Sequence, residues 1–306
     1  MEKRIFLAYN SRSGDASFKD RLHRFIEVFQ QNFLLEINDI VGINLENRLK
    51  HLKSNNNTFI AVAGGDGTLN SLVNAAMLNG LKNPIILVPV GTSNDFATRL
   101  NMPENFLALN NLICDRENIN FIDIGKINDG YFINVCACGF LTSVPYETPE
   151  DLKNLVGKAA YYLKGVQKLT ELKPIPLEIK TPDQSIKEEF CLFLILNSGR
   201  AGGFSDITPD SLLDDGQFEF LGIKYTGVYE MFTALVEVFV NKRWNSDDNI
   251  VYFRAEEMKI QSYNTEKTFM TDIDGEKGPE LPLNIEVQEQ ALPFVFDPKN
   301  KPIKGR

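Results

Sequence analysis

The stretch that decides the fold of this chain is Ala61-Val62-Ala63-Gly64-Gly65-Asp66-Gly67-Thr68-Leu69-Asn70. An apolar strand, Phe59 to Ala63, is predicted to lead into three glycines around one carboxylate, and a helix is predicted from Leu69 to Leu78. Glycines permit a sharp turn and bare backbone N–H groups at a helix N-terminus, a geometry that binds polyphosphates. Because the side chain of Asp66 would repel a phosphate, a counter-ion such as Mg²⁺ is expected between the two. The turn therefore predicts a metal–nucleotide site, and its spacing excludes both a Walker loop and a dinucleotide G-x-G-x-x-G turn.

Similar strand–turn–helix units flank this turn on both sides. Unbroken apolar strands alternate with helices, a pattern typical of a doubly wound α/β domain with a parallel sheet. Ligands of such sheets bind beyond the carboxyl ends of the strands, so we expect the polar turns at 10–14, 64–68 and 91–95 to meet in one site. The other predicted elements are strands at Ile5–Tyr9, Leu34–Ile37 and Ile85–Val90 and helices at Ser17–Asn32 and Leu45–Lys53.

The second half of the chain has a different pattern. From about Phe121, short β-rich runs are separated by turn residues, and few helices intervene apart from those predicted at Leu152–Leu172 and Tyr229–Arg243. This pattern predicts a mainly antiparallel, β-sandwich-like domain. The boundary is expected near residue 126, which gives an α/β domain over 1–126 and a β-rich domain over 127–290.

Composition excludes several classes of function. A net charge of −9 and a pI near 5.0 argue against a nucleic-acid partner, because no dominant basic face would neutralise phosphates. No apolar run reaches the roughly 18–20 residues that span a bilayer, and the N-terminus lacks the features of a secretory signal, so a cytoplasmic protein is expected. The two histidines lie in polar helical surroundings, which makes histidine-based acid–base chemistry improbable. The four cysteines lack zinc-ligand spacing and are expected to be buried free thiols.

Three further turns carry candidate site residues, and each has a structural alternative. Gly91-Thr92-Ser93-Asn94-Asp95 opens a helix, where capping is favoured if the turn is taken alone, but its place beside Gly64–Thr68 favours binding. Thr271–Glu276 is either a hairpin turn or the source of the carboxylate that phosphoryl transfer to a hydroxyl requires. The paired aspartates in Pro209–Gly216 either cap a turn or hold a hard cation together with backbone carbonyls, and their chemistry alone slightly favours capping.

In their order along the chain, these motifs resemble the bacterial diacylglycerol kinase catalytic-domain family of lipid kinases, which is related to the sphingosine kinases. The glycine turn alone is only moderately specific, since NAD kinases and phosphofructokinases have similar turns. Its combination with Gly91–Ala97 and the late triplet Asp274-Gly275-Glu276 is highly specific. The resemblance covers nearly the whole chain and also includes the stretches Asn134–Phe140, Asn197–Phe204 and Pro209–Gly216.

The resemblance implies that ATP binds in a cleft between an α/β domain and a β-sandwich domain, with Mg²⁺ at its phosphates. It implies that Asp274 acts as a general base with Glu276 beside it, and that Asp66 and Asp95 organise the metal and the phosphates. The nucleotide-binding residues expected from the turns and the resemblance together are Asn10, Ser13, Gly14, Gly64, Gly65, Asp66, Gly67, Thr68, Gly91, Thr92, Asn94 and Asp95.

A second cation is also implied by the resemblance. It would be a structural ion held by Asp215 together with carbonyls such as those of Leu212 and Gln217. The last residues of such proteins return to the first domain, which here implies that 291–306 rejoin 1–126.

At several positions the chain departs from the family's pattern. Asp15 and Asp20 stand where basic residues are common, and Thr98 replaces a frequent basic residue, with Arg99 one place further on. In relatives a salt-bridge network supports the aspartate that matches Asp123, so that support is expected to differ here.

The sequence therefore predicts an ATP- and Mg²⁺-dependent lipid kinase that phosphorylates the hydroxyl of a diacylglycerol-like lipid. Its lipid acceptor would be met at the membrane surface by a cytoplasmic, peripherally associated protein, and a homodimer is left open. One alternative is a soluble-metabolite kinase of the NAD kinase type. The other is a non-catalytic nucleotide- or lipid-binding regulator, which Asp15 and Asp20 motivate. The helix Tyr229–Arg243 is expected to pack on the core rather than on lipid.

Overall fold

The structure, a computed structural model, describes residues 2–11, 17–90, 94–139, 172–200, 207–208, 210–245, 247–264 and 267–300. Within these residues, strands and helices alternate in the first part of the chain, and strands dominate in the second. The helices are α1 (Ser17–Phe29), α2 (Leu45–Leu49), α3 (Asp66–Leu78), α4 (Asp95–Arg99), α5 (Phe106–Cys114) and α6 (Val228–Phe239). The strands are β1 (Arg4–Tyr9), β2 (Leu34–Asp39), β3 (Thr58–Gly64), β4 (Ile85–Pro89), β5 (Ile119–Ile127), β6 (Gly130–Phe132), β7 (Val135–Gly139), β8 (Ile175–Lys180), β9 (Ser185–Leu196), β10 (Phe218–Lys224), β11 (Ile250–Ala255), β12 (Glu257–Ser262), β13 (Met270–Ile273), β14 (Glu276–Glu280) and β15 (Leu283–Val295).

Four strands form the parallel half of the sheet, in the order β2-β1-β3-β4. The residues Ile5–Ala8 of β1 and Phe59–Ala63 of β3 are buried in succession rather than alternately, as expected for strands covered on both faces. The helices pack in two groups, with α1 against α5 and α2 against α3. The predicted doubly wound α/β half is therefore confirmed.

Some element boundaries differ from the prediction. α3 begins at Asp66 rather than at Leu69, so residues 66–68 form its first turn. The predicted helices Ser17–Asn32 and Leu45–Lys53 end three and four residues earlier, at the ends of α1 and α2. The difference at α3 matters most, because it places the glycine turn inside the helix N-terminus.

One long strand, β15, joins the parallel half to the rest of the sheet. It pairs with β12 and β5 in the antiparallel direction, and near its end Phe294 pairs with Ile85 of β4 in the parallel direction. Its pairing with β5 shifts between Gln288 and Leu292, and Gln290 there has a φ of 43°. Part of the segment 291–306 thus lies against the α/β half, and its residues 301–306 lie outside the described residues. The boundary expected near residue 126 falls inside β5 and stays a prediction.

The remaining strands form the sandwich-like half that was predicted. From β15 the sheet continues through β12, β8, β9, β7, β13 and β14, and β10 and β11 extend it from β9. Successive residues of β9 alternate between two apolar clusters, with Phe193 and Ile195 in one and Leu194 and Leu196 in the other. Because neighbouring residues of a strand point to opposite faces, both faces of this half are covered.

α6 covers one of these faces, as the sequence predicted. Met231, Ala234 and Val238 are buried in the cluster that also holds Leu194, whereas Tyr229 is 75% exposed. In the described part of the chain, no helix has both the length and the apolar character needed to cross a bilayer. The other helix predicted in this half, Leu152–Leu172, lies outside the described residues except for Leu172.

Three of the four cysteines are buried free thiols, as predicted, whereas Cys114 is exposed at the end of α5. Burial raises the pKa of Cys138 and of Cys191 to about 12. Thiols with such pKa values stay protonated near neutral pH.

Candidate active site

The predicted phosphate turn is the first turn of α3, at the carboxyl end of β3. Its N-cap is Gly65, which has no side chain to accept a hydrogen bond from the first backbone N–H groups. The N-terminus of the helix therefore presents its N–H groups and the positive end of its dipole at the site. Two glycines make room for close contacts: a methyl group on Gly64 would overlap the side chain of Thr68, and one on Gly67 would overlap the carboxylate of Glu276.

We expect Gly67→Ala to reduce kcat by about 100-fold, because displacing a reacting group by about 1 Å costs this much. The added methyl would push the Glu276 carboxylate away from the turn. Steady-state rates measured beside Gly130→Ala provide the control, since a methyl on Gly130 would meet only Asn74 Oδ1 at 3.5 Å and Ile127 O at 3.9 Å. Equal rates for the two variants would contradict a functional contact between Gly67 and Glu276.

Asp66 links the two predicted binding turns. Its carboxylate accepts hydrogen bonds from the backbone N–H groups of Asp95 at 3.2 Å and Phe96 at 3.5 Å, and so caps α4 from a different part of the chain. Asn94, the N-cap of α4, makes no capping bond of its own. The alternative in which the second turn serves only to cap its own helix is therefore weakened.

Burial raises the pKa of Asp66 to about 7. The neighbouring negative charge of Asp95 adds to this shift and that of Asp274 does so more weakly, while the backbone hydrogen bonds from α4 oppose it. The carboxylate of Asp66 therefore lies close enough to those of Asp95 and Asp274 to be repelled by both. Such a set favours a cation.

The residues present fit a metal ion that takes its remaining ligands from the substrate and from water. Among the described residues, no group of three or more histidine, cysteine, aspartate or glutamate side chains is placed to hold a metal ion. Mg²⁺ commonly takes one or two protein carboxylates and completes its coordination with waters and substrate phosphates. Asp66 and Asp95 match that arrangement, and their assignment as ligands stays a prediction.

Asp274 lies in the tight turn between β13 and β14, with a φ of 51° and only 3% of its surface exposed. Burial raises the pKa of its carboxyl, and the surrounding donors oppose that shift. Four groups donate hydrogen bonds to the Asp274 carboxylate, which is as many as its two oxygens accept. Both oxygens are therefore engaged in this conformation. The donors are Asn134 N at 2.8 Å and Val135 N at 2.9 Å to Oδ1, and Ile133 N at 2.9 Å and Asn70 Nδ2 at 2.7 Å to Oδ2.

Glu276 is the exposed carboxylate of the same hairpin, and it lines a cavity of about 640 Å³. One end of the cavity is formed by the phosphate turn, through Gly65, Gly67 and Thr68. Its volume lies within the range of small-molecule and cofactor sites. The hairpin therefore offers two different carboxylates, one buried and fully bonded and one that faces the cavity.

The other wall of the cavity was not predicted. It is formed by residues 40–46, which follow β2, and by Ser71, Asn74 and Leu78 on α3. Residues 40–46 lie at the same carboxyl edge of the sheet as the predicted turns, and this position was the signal that could have identified them.

The structure brings most of the predicted nucleotide-binding residues to one edge of the sheet. Asn10 lines the cavity, and its backbone N–H donates to Ala63 O at 3.2 Å. The turn Gly64–Thr68 and the start of α4 at Asn94 and Asp95 lie beside it. The remaining predicted residues, Ser13, Gly14, Gly91 and Thr92, lie outside the described residues.

The loop predicted to hold a structural cation is fixed by Asp123. The carboxylate of Asp123 accepts hydrogen bonds from Gly216 N at 2.8 Å and from Gln290 N at 2.7 Å, and so ties the loop to the irregular part of β15. Burial raises the pKa of Asp123. In this chain, Asp123 is therefore held by backbone N–H groups. This is the aspartate for which the sequence predicted a support different from the salt-bridge network of relatives.

Within that loop, Asp215 accepts a hydrogen bond from Gln217 N at 3.2 Å and lies 3.9 Å from the guanidinium of Arg254. Arg99 of α4 donates to Ser211 O, which connects the loop to the nucleotide side of the site. The assignment of Leu212, Asp215 and Gln217 as cation ligands stays a prediction.

Three asparagines of the site were not assigned a role from the sequence, although Asn134 belongs to a stretch that carries the resemblance. Asn70 and Asn134 both donate to Asp274, and Asn74 lies one helical turn after Asn70 on α3. The i, i+4 spacing of two asparagines after the glycine turn was the available signal.

Comparisons with known proteins agree with this architecture. The family model described as "Diacylglycerol kinase catalytic domain" matches residues 4–127, and the model described as "YegS C-terminal NAD kinase beta sandwich-like domain" matches residues 138–296. A putative diacylglycerol kinase from Bacillus anthracis str. Sterne superimposes with a TM-score of 0.77 at 22% sequence identity, covering 97% of this chain and 98% of that one.

Curated relatives match at higher identity. A diacylglycerol kinase of Staphylococcus epidermidis (strain ATCC 35984) is 32% identical over 304 residues, which cover 98% of this chain and 94% of the relative. A diacylglycerol kinase of Bacillus subtilis (strain 168) is 32% identical over 284 residues, which cover 92% of each chain. Together with the site geometry, these matches show that the chain belongs to the diacylglycerol kinase family of lipid kinases.

Proposed function

We propose that this protein transfers the γ-phosphate of ATP to the hydroxyl of a diacylglycerol-like lipid in a Mg²⁺-dependent reaction. The observation that carries the proposal is the contact between Glu276 and Gly67. It places a carboxylate that can serve the acceptor directly beside the helix N-terminus that would hold the phosphates of the donor. The relatives named as diacylglycerol kinases supply the class of acceptor.

On the donor side, the first turn of α3 would bind the transferred phosphate through its backbone N–H groups. The rest of the cavity, between residues 40–46 and the face of α3, would take the nucleoside. Mg²⁺, when bound by Asp66 and Asp95, would neutralise negative charge on the phosphates. The bound cation would then oppose the burial and the repulsion from Asp95 that together raise the pKa of Asp66.

On the acceptor side, the two carboxylates of the hairpin would have separate roles. The sequence predicted that Asp274 takes the proton of the lipid hydroxyl, but its oxygens already accept four hydrogen bonds. We therefore assign the proton to Glu276, which faces the cavity. Asp274 would fix the hairpin that carries Glu276, because its bonds tie the turn to the start of β7 and to α3.

The proposal is tested by incubating the purified protein with ATP, Mg²⁺ and mixed micelles that contain one lipid from a panel of acceptors. We expect phosphate transfer with a diacylglycerol and its loss when Mg²⁺ is chelated. Phosphorylation of a soluble metabolite such as NAD without lipid would instead support the NAD kinase type. Nucleotide binding without transfer to any acceptor would support the regulator and overturn the proposal.

Vesicles of the same lipid test whether the protein meets its lipid acceptor at the membrane surface. A peripherally associated kinase is expected to sediment with vesicles that contain its lipid acceptor and to remain in the supernatant without them. Transfer to a short-chain, water-soluble analogue with no change on adding vesicles would contradict the membrane-surface part of the proposal.

A further inference from the structure

Two asparagines of α3 form a chain of hydrogen bonds between strand β6 and Asp274. Tyr131 N donates to Asn74 Oδ1 at 2.9 Å, and Asn74 Nδ2 donates to Tyr131 O at 2.9 Å. Asn74 Nδ2 also donates to Asn70 Oδ1 at 3.1 Å. Asn70 Nδ2 then donates to Asp274 Oδ2 at 2.7 Å and to Tyr131 O at 3.1 Å. The chain thus begins at a backbone amide and ends at a buried carboxylate.

Both ends of this chain fix the direction of its bonds. A backbone N–H can only donate, so the atom of Asn74 that faces Tyr131 N must be the carbonyl oxygen. The amide nitrogen of Asn74 consequently faces Asn70, where it meets two acceptors, the backbone O at 3.0 Å and the side-chain Oδ1 at 3.1 Å. The other edge of the Asn70 amide meets the acceptors Asp274 Oδ2 and Tyr131 O, so its nitrogen lies there. A reversed Asn70 amide would place its oxygen against the Asp274 carboxylate and repel it.

We propose that Asn74 is a positioning residue, which supports Asn70 in the orientation that donates to Asp274 and so holds the Asp274 carboxylate and the hairpin that carries Glu276. Asn74 is far from Asp274 in the sequence but only two hydrogen bonds away in space. Its clamp on Tyr131 also holds the β5–β6 hairpin against the helix of the phosphate turn. The kinetic consequence rests on the proposed lipid kinase function, whereas the hydrogen-bond chain itself does not.

The first test is a double-mutant cycle in the unfolding equilibrium. Asn70→Ala, Asn74→Ala and the double variant are compared with the natural protein by denaturant unfolding. If Asn74 acts through Asn70, the unfolding constant of the double variant should differ at least about threefold from the product of the single effects. Independent, additive effects would overturn the proposal. If an alanine variant fails to fold, the cycle is repeated with Asn70→Ser and Asn74→Ser.

The second test separates positioning from nucleotide binding, since Asn74 also lines the cavity. Asn74→Asp keeps the acceptor for Tyr131 N but removes the donor to Asn70 and Tyr131 O, so the Asn70 side chain loses its support and shifts. We expect kcat to fall at least about tenfold while the KM for ATP stays within about threefold, as for a misplaced reacting group. A raised KM for ATP at unchanged kcat would assign Asn74 to nucleotide binding and overturn the proposal.

Asn83→Ala is the matched control. Asn83 is a buried amide that donates to the carbonyls of Lys53, Asn55 and Thr58 at the opposite end of the strands from the site. Its loss should lower stability and leave kcat unchanged. If the natural protein phosphorylates no lipid, the proposed function fails, and the unfolding cycle still decides whether the asparagine chain exists.

Discussion

Replacing Glu276 by glutamine is expected to lower kcat for lipid phosphorylation by about 100- to 1,000-fold, the usual contribution of a positioned acid–base group. Glutamine keeps the size of the side chain and its contact with Gly67 but cannot take the proton of the acceptor hydroxyl. The KM for ATP should change little, since the backbone N–H groups of the phosphate turn remain. Initial rates over a range of ATP and lipid concentrations measure both quantities.

Asp274→Asn is the informative partner of this variant. All four partners of Asp274 donate hydrogen bonds to it. The side-chain NH2 group of an asparagine at this position would therefore face donors instead of acceptors. The melting temperature is therefore expected to fall together with the activity. If Asp274→Asn abolishes turnover at an unchanged melting temperature while Glu276→Gln retains turnover, the proton goes to Asp274, as the sequence predicted.

Replacing Asp66 by asparagine is expected to lower kcat by at least about 100-fold, because developing charge on the transferred phosphate loses its organising group. The same change should make the protein more stable. The pKa of Asp66 is about 7 in the folded protein, against an ordinary value of 3.8. Between these values the folded state retains a proton that the unfolded state has lost, so the unfolding free energy falls as pH rises. Above about pH 7 this cost is complete and amounts to up to about 4 kcal/mol.

Asparagine carries no such cost, so the stability gained by Asp66→Asn should be larger at about pH 8 than at about pH 5. Denaturant unfolding at the two pH values, without metal or nucleotide, measures the gain. Asp183→Asn, on the exposed turn between β8 and β9, controls for the general loss of one negative charge. A gain for Asp66→Asn that is independent of pH would contradict the raised pKa of Asp66 in the folded protein.

The sequence predicted the parts of the site whose signals are local. Gly64–Thr68 follows an apolar strand and precedes a helix, so its place at the carboxyl edge of a parallel sheet could be inferred from neighbouring residues alone. The late Asp274-Gly275-Glu276 triplet was identified through its resemblance to a family. The sequence also allowed this triplet to be no more than a hairpin turn. The structure shows that the triplet forms a hairpin and that Glu276 also reaches the phosphate turn.

What could not be predicted depends on contacts between distant parts of the chain. The burial of Asp274 results from the packing of its turn onto Ile133–Val135, and no pattern around residue 274 encodes those partners. The cavity wall at 40–46 likewise depends on how β2 is placed beside β1. The sequence could place the two binding turns on the same edge of the sheet. It could not show that Asp66 caps α4 and so joins the two turns.

The path of β15 has a consequence for how the protein is made. β15 pairs through Phe294 with β4, which is synthesised much earlier, and the ring of Phe294 packs edge-on against Phe96 at 5.8 Å. Until that strand arrives, one side of β4 and the ring of Phe96 lack these partners in a nascent chain that is otherwise able to begin folding. The nucleotide half therefore reaches its native state only after β15 has been synthesised, and a chain that stops before β15 exposes an unpaired strand edge to aggregation.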